Sequence, residues 1–175
     1  MKLFVLITLI LLSGCAAPSK QPPANLEPYL GTWYEIIRQD HAFEEGLINV
    51  TATYSFSDDF LLVRNRGYSS FDKEWREVTG WAALEHADGN DYLKVSFNRP
   101  FYGSYVVFKL DEENNDYALV MGLNREHFWL LSKTPYMPET VKRKLLARIK
   151  ALGFHMDKVV EVEHFPLSTT SPVNQ

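Results

Sequence analysis

Chemistry in this 175-residue chain begins with one thiol. Cys15 is the only cysteine, so no intrachain disulfide is available even in an oxidising compartment. It closes the run Leu12-Ser13-Gly14-Cys15 behind a short greasy N-terminus. The other reactive residue types do not assemble into a pattern. The five histidines are scattered, with no pair at metal-ligand spacing and no H-E-x-x-H. Gly67-Tyr68-Ser69-Ser70-Phe71 fails the G-x-S-x-G elbow at its last position. Asn49-Val50-Thr51 is formally a glycosylation sequon. No catalytic residue, metal or cofactor is expected, and the chain reads as a non-enzyme.

The segment ahead of Cys15 explains where that thiol goes. Lys2 supplies a positive n-region, Leu3 to Leu12 is apolar apart from Thr8, and small residues follow. This is the layout of a secretory signal peptide over residues 1–14. Its apolar run falls below the roughly 20 residues of a spanning helix. The tetrad ending at Cys15 resembles the lipobox of bacterial lipoproteins. That resemblance implies cleavage before Cys15, a diacylglyceryl thioether on its sulfur and an N-acyl chain such as palmitate. Several chains on one residue make a stable anchor where a single chain binds only marginally. Ala16 and Ala17 in place of Asp imply the periplasmic face of the outer membrane. The competing reading is a plain secreted protein with a cysteine near its cleavage site by chance.

Residues 15–28 carry Pro18, Pro22, Pro23 and Pro28 among polar residues, the composition of an extended spacer. Residues 166–175, rich in Ser, Thr and Pro, read as a flexible tail. Between them, residues 29–165 have the size of one domain. Hydrophobic content of 46% with 14% aromatics suffices for a core. Net charge is -4 and the basic residues are dispersed apart from Lys142-Arg143-Lys144, so nucleic acid is not an expected partner.

The body has period two. Val50, Ala52, Tyr54 and Phe56 alternate with Thr51, Thr53 and Ser55, and Leu93, Val95 and Phe97 with Tyr92, Lys94 and Ser96. Further strands are expected at 33–38, 60–66, 77–84, 105–110, 117–123 and 128–133. Turn clusters separate them at 57–59, 88–91, 100–103, 111–116 and 124–126. Eight such strands indicate an antiparallel sandwich or barrel. One segment departs from this: Val141, Leu145, Ile149 and Leu152 share a helical face, with Pro138 at its start and Gly153 at its end. A short ninth strand is expected at 158–163.

Gly31-Thr32-Trp33-Tyr34-Glu35 is similar to the G-x-W-Y signature of the lipocalin family. Asn115-Asp116-Tyr117 and Trp129-Leu130-Leu131-Ser132-Lys133 resemble its second and third conserved regions. With the lipobox and Pro100-Phe101-Tyr102-Gly103, the likeness is to bacterial outer-membrane lipocalins, relatives of apolipoprotein D. It implies an all-β fold: an eight-stranded up-and-down antiparallel barrel with one C-terminal helix and a short ninth strand. Gly31, Trp33 and Lys133 would form the closed floor. Lys133 stands where the family usually has Arg, so the indole of Trp33 would meet an ammonium without the planar stack, and a looser floor is expected.

The same likeness implies a lumen that binds lipid. Tyr54, Asn65, Phe97, Tyr105 and Trp129 match pocket-lining positions of apolipoprotein D, and counting by twos adds Ala52, Val63 and Val95. Small Ala52, Ala118, Val120 and Gly122 would leave room among the rings for a fatty acid or lysophospholipid. Each buried methylene contributes on the order of 0.8 kcal/mol. A void on the order of several hundred Å³, open away from Trp33, would suit such a carrier. The alternative is a structural or interaction lipoprotein of the envelope whose barrel is filled by its own side chains. Glu35 would point inward near the floor by parity with Trp33, paired with a nearby base or Lys133, or with a raised pKa. The loop from His41 to Asn49 would fold over the mouth, dip into a membrane, or meet a second subunit in a homodimer.

Overall fold

Alternating β-branched and aromatic residues give the chain its strands, and closure of those strands makes the barrel. The computed structural model describes residues 27–57, 60–87, 90–98, 101–109, 116–122 and 127–166. The signal segment, Cys15, most of the linker and the tail beyond Pro166 lie outside the described residues. Strands β1 (Gly31–Gln39), β2 (Leu47–Ser57), β3 (Phe60–Ser69), β4 (Trp75–Ala87), β5 (Asn90–Asn98), β6 (Phe101–Lys109), β7 (Tyr117–Gly122) and β8 (Phe128–Ser132) run up and down in sequence order. The first part of β1 pairs with β2, Trp33 opposite Ala52, and its second part with β8, Arg38 opposite Trp129. Every strand of the eight thus has two neighbours and the barrel is closed, which removes the sheet edges. A ninth strand, β9 (Val159–Glu161), pairs with the end of β1 on the outside.

Three turns are tighter than expected, and in the first of them Ser57 closes β2 opposite Phe60. In place of the turn expected at 100–103, Phe101 to Gly103 open β6, with Asn98 paired to Phe101. Asn90 and Asp91 likewise belong to β5, with Ala87 paired to Asn90. In all three hairpins only two residues separate the last paired positions, so the ladder itself absorbs polar residues that look like loop.

Helix α1 (Glu139–Ala151) lies on the outer face of the barrel wall. Leu145 and Ile149 are buried against Ile36, Ile37, Leu119, Phe128 and Leu130. Burying each of these two aliphatic side chains contributes about 1.5–3 kcal/mol. Leu152 was expected on this face but is 37% exposed at the C-cap. It lies beyond the last helical turn, where Gly153 takes φ +93° and carries the chain away. Lys142 replaces it as a buried member of the helix, paired with Glu139 and Glu161 of β9.

Inside the barrel two apolar groups meet. One contains Leu61, Val63, Ala82, Leu93 and Val95; the other contains Trp33, Ala118, Val120 and Leu131. At the floor, Trp33 donates its indole N–H to the Tyr29 carbonyl at 2.8 Å. Lys133 Nζ sits 3.9 Å from the Trp33 ring centroid and donates to the Leu30 carbonyl at 2.7 Å. Burial lowers the Lys133 pKa, opposed by the charge of Asp116. Gly31 takes φ +93°, a conformation glycine adopts without strain.

Candidate functional site: a lumen with a charged mouth

Five strands aim side chains at one cavity. β2 contributes Ala52 and Tyr54, β3 Val63 and Asn65, β5 Val95 and Phe97, β6 Tyr105 and β8 Trp129. The eight positions read from the sequence therefore border a common space. They do so because side chains in a strand alternate faces, and one correct inward residue orders the rest of its strand. Leu93, Val120 and Leu131 complete the apolar wall. Leu93 shares the inward parity of Val95 and Phe97 in β5, the sequence signal that marks it as a lining residue.

The void measures about 110 Å³. That is below the roughly 300–1,000 Å³ usual for ligand pockets, and smaller than expected from the sequence. It is not plugged, but its rings take up much of the lumen. The Tyr105 and Trp129 rings meet edge-on with centroids 5.8 Å apart. The Phe97 ring lies over Gly80, where a Cβ would come within 2.7 Å of it. Burial, and after it the neighbouring Tyr105, pushes the Tyr54 pKa up to about 12. The Asn65 Oδ1 is buried with no hydrogen-bond partner, one polar acceptor in a greasy wall.

The mouth is charged, which the sequence did not show. Glu35 borders the cavity as parity required, but it belongs to the mouth and not to the floor, and its partner is Arg38, not Lys133: Arg38 Nη1 donates to Glu35 Oε1 at 2.9 Å. Strict alternation puts Arg38 on the opposite face from Glu35. A β-bulge between Glu35 and Ile37 adds one residue against β8 and reverses the parity. Ile36 and Ile37 both face the helix, and Arg38 returns to the inside with Trp129 opposite.

The loop after β1 forms a single 3-10 turn, Ala42–Glu44, that drops a second carboxylate into the mouth. Glu44 is 5% exposed and borders the cavity with Phe43, whose own ring is 66% exposed. Trp129 Nε1 donates to Glu44 Oε2 at 2.9 Å, and Arg38 Nη2 donates to the Glu44 carbonyl at 2.8 Å. His41 Nε2 stands 3.0 Å from the same carboxylate oxygen. Burial, reinforced by the charge of Glu44, pushes the Glu35 pKa up to about 8 in spite of Arg38. Both readings of Glu35 therefore hold together: it is paired with a base, and its proton is held well above the usual carboxylate range.

Among the described residues no group of three or more His, Cys, Asp or Glu side chains is placed to hold a metal. A model of the lipocalin-like domain matches residues 24–164. The chain belongs to the lipocalin family. This lipocalin is 44% identical over 166 residues to the outer membrane lipoprotein Blc of Vibrio cholerae, covering 92% of this chain and 97% of that one. To the Escherichia coli K12 protein of the same name it is 43% identical, covering 87% and 90%. It is 31% identical to apolipoprotein D of Bos taurus, covering 74% and 72%. In shape the lipocalin matches apocrustacyanin C1 with a TM-score of 0.64 at 17% identity, each chain covered to 81%. The family and these relatives make it a binding protein rather than an enzyme, located at the bacterial outer membrane.

Proposed function

We propose that this lipocalin takes up fatty acids or lysophospholipids in its barrel, for storage or transport during upkeep of the outer membrane. The observation that supports this reading is the convergence of Ala52, Tyr54, Val63, Asn65, Val95, Phe97, Tyr105 and Trp129 on one apolar cavity. A hydrocarbon tail needs no directional partner, only surface removed from water, and this wall offers little else. A cavity of about 110 Å³ accepts a short run of methylenes as it stands. A longer tail requires rings that line the lumen, Tyr54, Phe97 and Tyr105, to move aside.

The remaining parts fit a tethered carrier. Residues 1–14 act as the lipoprotein signal, Cys15 carries the acyl groups on the periplasmic face, and residues 15–28 hold the barrel of residues 29–165 off the bilayer, with 166–175 trailing. Replacing Cys15 by Ser moves the protein from the membrane to the soluble fraction; retention of Cys15→Ser in washed membranes would reject the anchor.

Titration of the delipidated protein with a fluorescent fatty acid gives saturable one-site binding. Trp129→Ala and Tyr54→Ala each weaken it by about tenfold, the loss of one large apolar contact. Failure to bind any amphiphile leaves a filled barrel that serves as an envelope scaffold, the reading that the modest void otherwise supports.

A further inference from the structure

The most unusual group in the lumen is the carboxylate of Glu44. A negatively charged side chain at the mouth of an apolar cavity is 5% exposed, and it is delivered there by a turn whose neighbours Phe43 and Glu45 are exposed. His41 at the start of that turn makes no side-chain cap hydrogen bond. The His41 ring rests on Trp129 and His127, with centroids 5.5 and 5.1 Å apart, and anchors the backbone of the turn, so the Glu44 side chain can leave without the turn.

The donors around it suit a carboxylate. Trp129 Nε1 gives one hydrogen bond, at 2.9 Å. Arg38 engages Glu35 through Nη1 and the Glu44 carbonyl through Nη2, which leaves its Nε buried without an acceptor. That Nε lies 3.9 Å from Glu44 Oε2. Two N–H groups, one of them on a cation, thus converge with His41 Nε2, 3.0 Å from Glu44 Oε2, on the position of one carboxylate at the end of an apolar void. The Glu44 backbone carbonyl can stay on Arg38 while the side chain alone rotates away.

We propose that Glu44 is a resident stand-in for the headgroup of the ligand: a long-chain fatty acid displaces it, sets its own carboxylate against Trp129 Nε1 and Arg38 Nε, and runs its tail down the cavity. The inference rests on the lipid-carrier reading and adds the headgroup class and the residues that read it. Exchange of one carboxylate for another leaves the buried guanidinium compensated throughout, which avoids the large cost of an unpaired buried charge. A neutral headgroup cannot supply that compensation. The tethered Glu44 competes at high effective concentration, so it lowers the apparent affinity for an anionic ligand.

Palmitate and hexadecanol, which share a tail and differ in charge, separate the possibilities when titrated into the purified, delipidated full chain. Glu44→Ala and the isosteric Glu44→Gln raise palmitate affinity about tenfold and leave hexadecanol within about twofold. Adding Trp129→Phe to Glu44→Ala removes most of that gain for palmitate only. In the wild-type protein, the carboxyl carbon resonance of Glu44 moves on adding palmitate and stays in place with hexadecanol. Equal gains for both amphiphiles, no gain for palmitate, or an unmoved Glu44 resonance overturns the proposal while the carrier reading stands. Binding of neither amphiphile to the wild type overturns both.

Discussion

Glu35 and Arg38 lie three positions apart on one strand and still face the same side of the barrel wall, joined at 2.9 Å. The bulge between Glu35 and Ile37 makes this contact, because one extra residue reverses the inward parity of everything after it. The consequence reaches beyond the pair. Arg38 also holds the carbonyls of Glu44 and Leu47, at 2.8 and 3.4 Å, and so ties the first loop to the wall.

Arg38→Met should therefore act on stability through two partners at once. It leaves Glu44 buried without its cation and Glu35 without its donor, a loss of the kind that costs about 3–5 kcal/mol. Arg38→Lys restores the charge but not the fork of donors, and recovers only part of it. Urea unfolding followed by tryptophan fluorescence measures both, and a wild-type midpoint for Arg38→Met would contradict the assignment.

The raised pKa of Glu35 gives a signed pH dependence. In the unfolded chain its carboxyl releases a proton near 4.5, whereas in the barrel it holds that proton to about 8. Between those values the folded state binds more protons, so stability falls as pH rises through the window. Glu35→Gln cannot ionise and lacks this slope. Melting temperatures of the two proteins should agree near pH 5, and the variant should exceed the wild type by several degrees near pH 9. His164, whose pKa burial lowers, weakens both proteins alike on the acid side, so it cancels in the difference. Parallel curves from pH 5 to 9 would show that Glu35 titrates normally.

The floor makes a separate prediction. Lys133→Met removes an ammonium 3.9 Å from the Trp33 centroid and a hydrogen bond to Leu30, and should destabilise by about 1–2 kcal/mol. Lys133→Arg keeps the cation on the ring and stays within about 1 kcal/mol of wild type. Denaturant titration checks both, and equal loss in the two variants would mean that the stem packs and the charge does nothing.

Gly80 tests the lumen from behind its wall. A Cβ there would come within 2.7 Å of the Phe97 ring and 2.8 Å of the Ser96 carbonyl oxygen. Gly80→Ala should cost about 1–3 kcal/mol by overpacking and push the Phe97 ring into the void. Weaker fatty-acid binding at unchanged stoichiometry is the expected readout. Unchanged affinity would show that the Phe97 ring has somewhere else to go.

Most of the wall was legible because the likeness to apolipoprotein D named one inward residue in each strand and the period of two ordered its neighbours. Ala52 and Tyr54, Val63 and Asn65, Val95 and Phe97 each sit two apart, and a pleated strand sends such pairs to one face whatever surrounds it. Lys133 over Trp33 was legible from the signature and the third conserved region together. Arg38 was not, since no residue type around Ile36 announces a bulge. Glu44 was not, since an acidic residue in a loop looks like any solvated charge. The volume was least accessible, because it is a small difference between a wall and the rings that fill it.

Local order along the chain, then, was determined by sequence alone: nine strands, one helix, an apolar inside and a single thiol. Only the closed barrel decided which charges meet. Alternation is a property of each strand by itself, whereas the Glu35–Arg38–Glu44 group requires an extra residue in β1, a neighbouring strand carrying Trp129, and a loop returning over the mouth. Burial then gives those charges their meaning, because a carboxylate changes its proton affinity only when water is taken away.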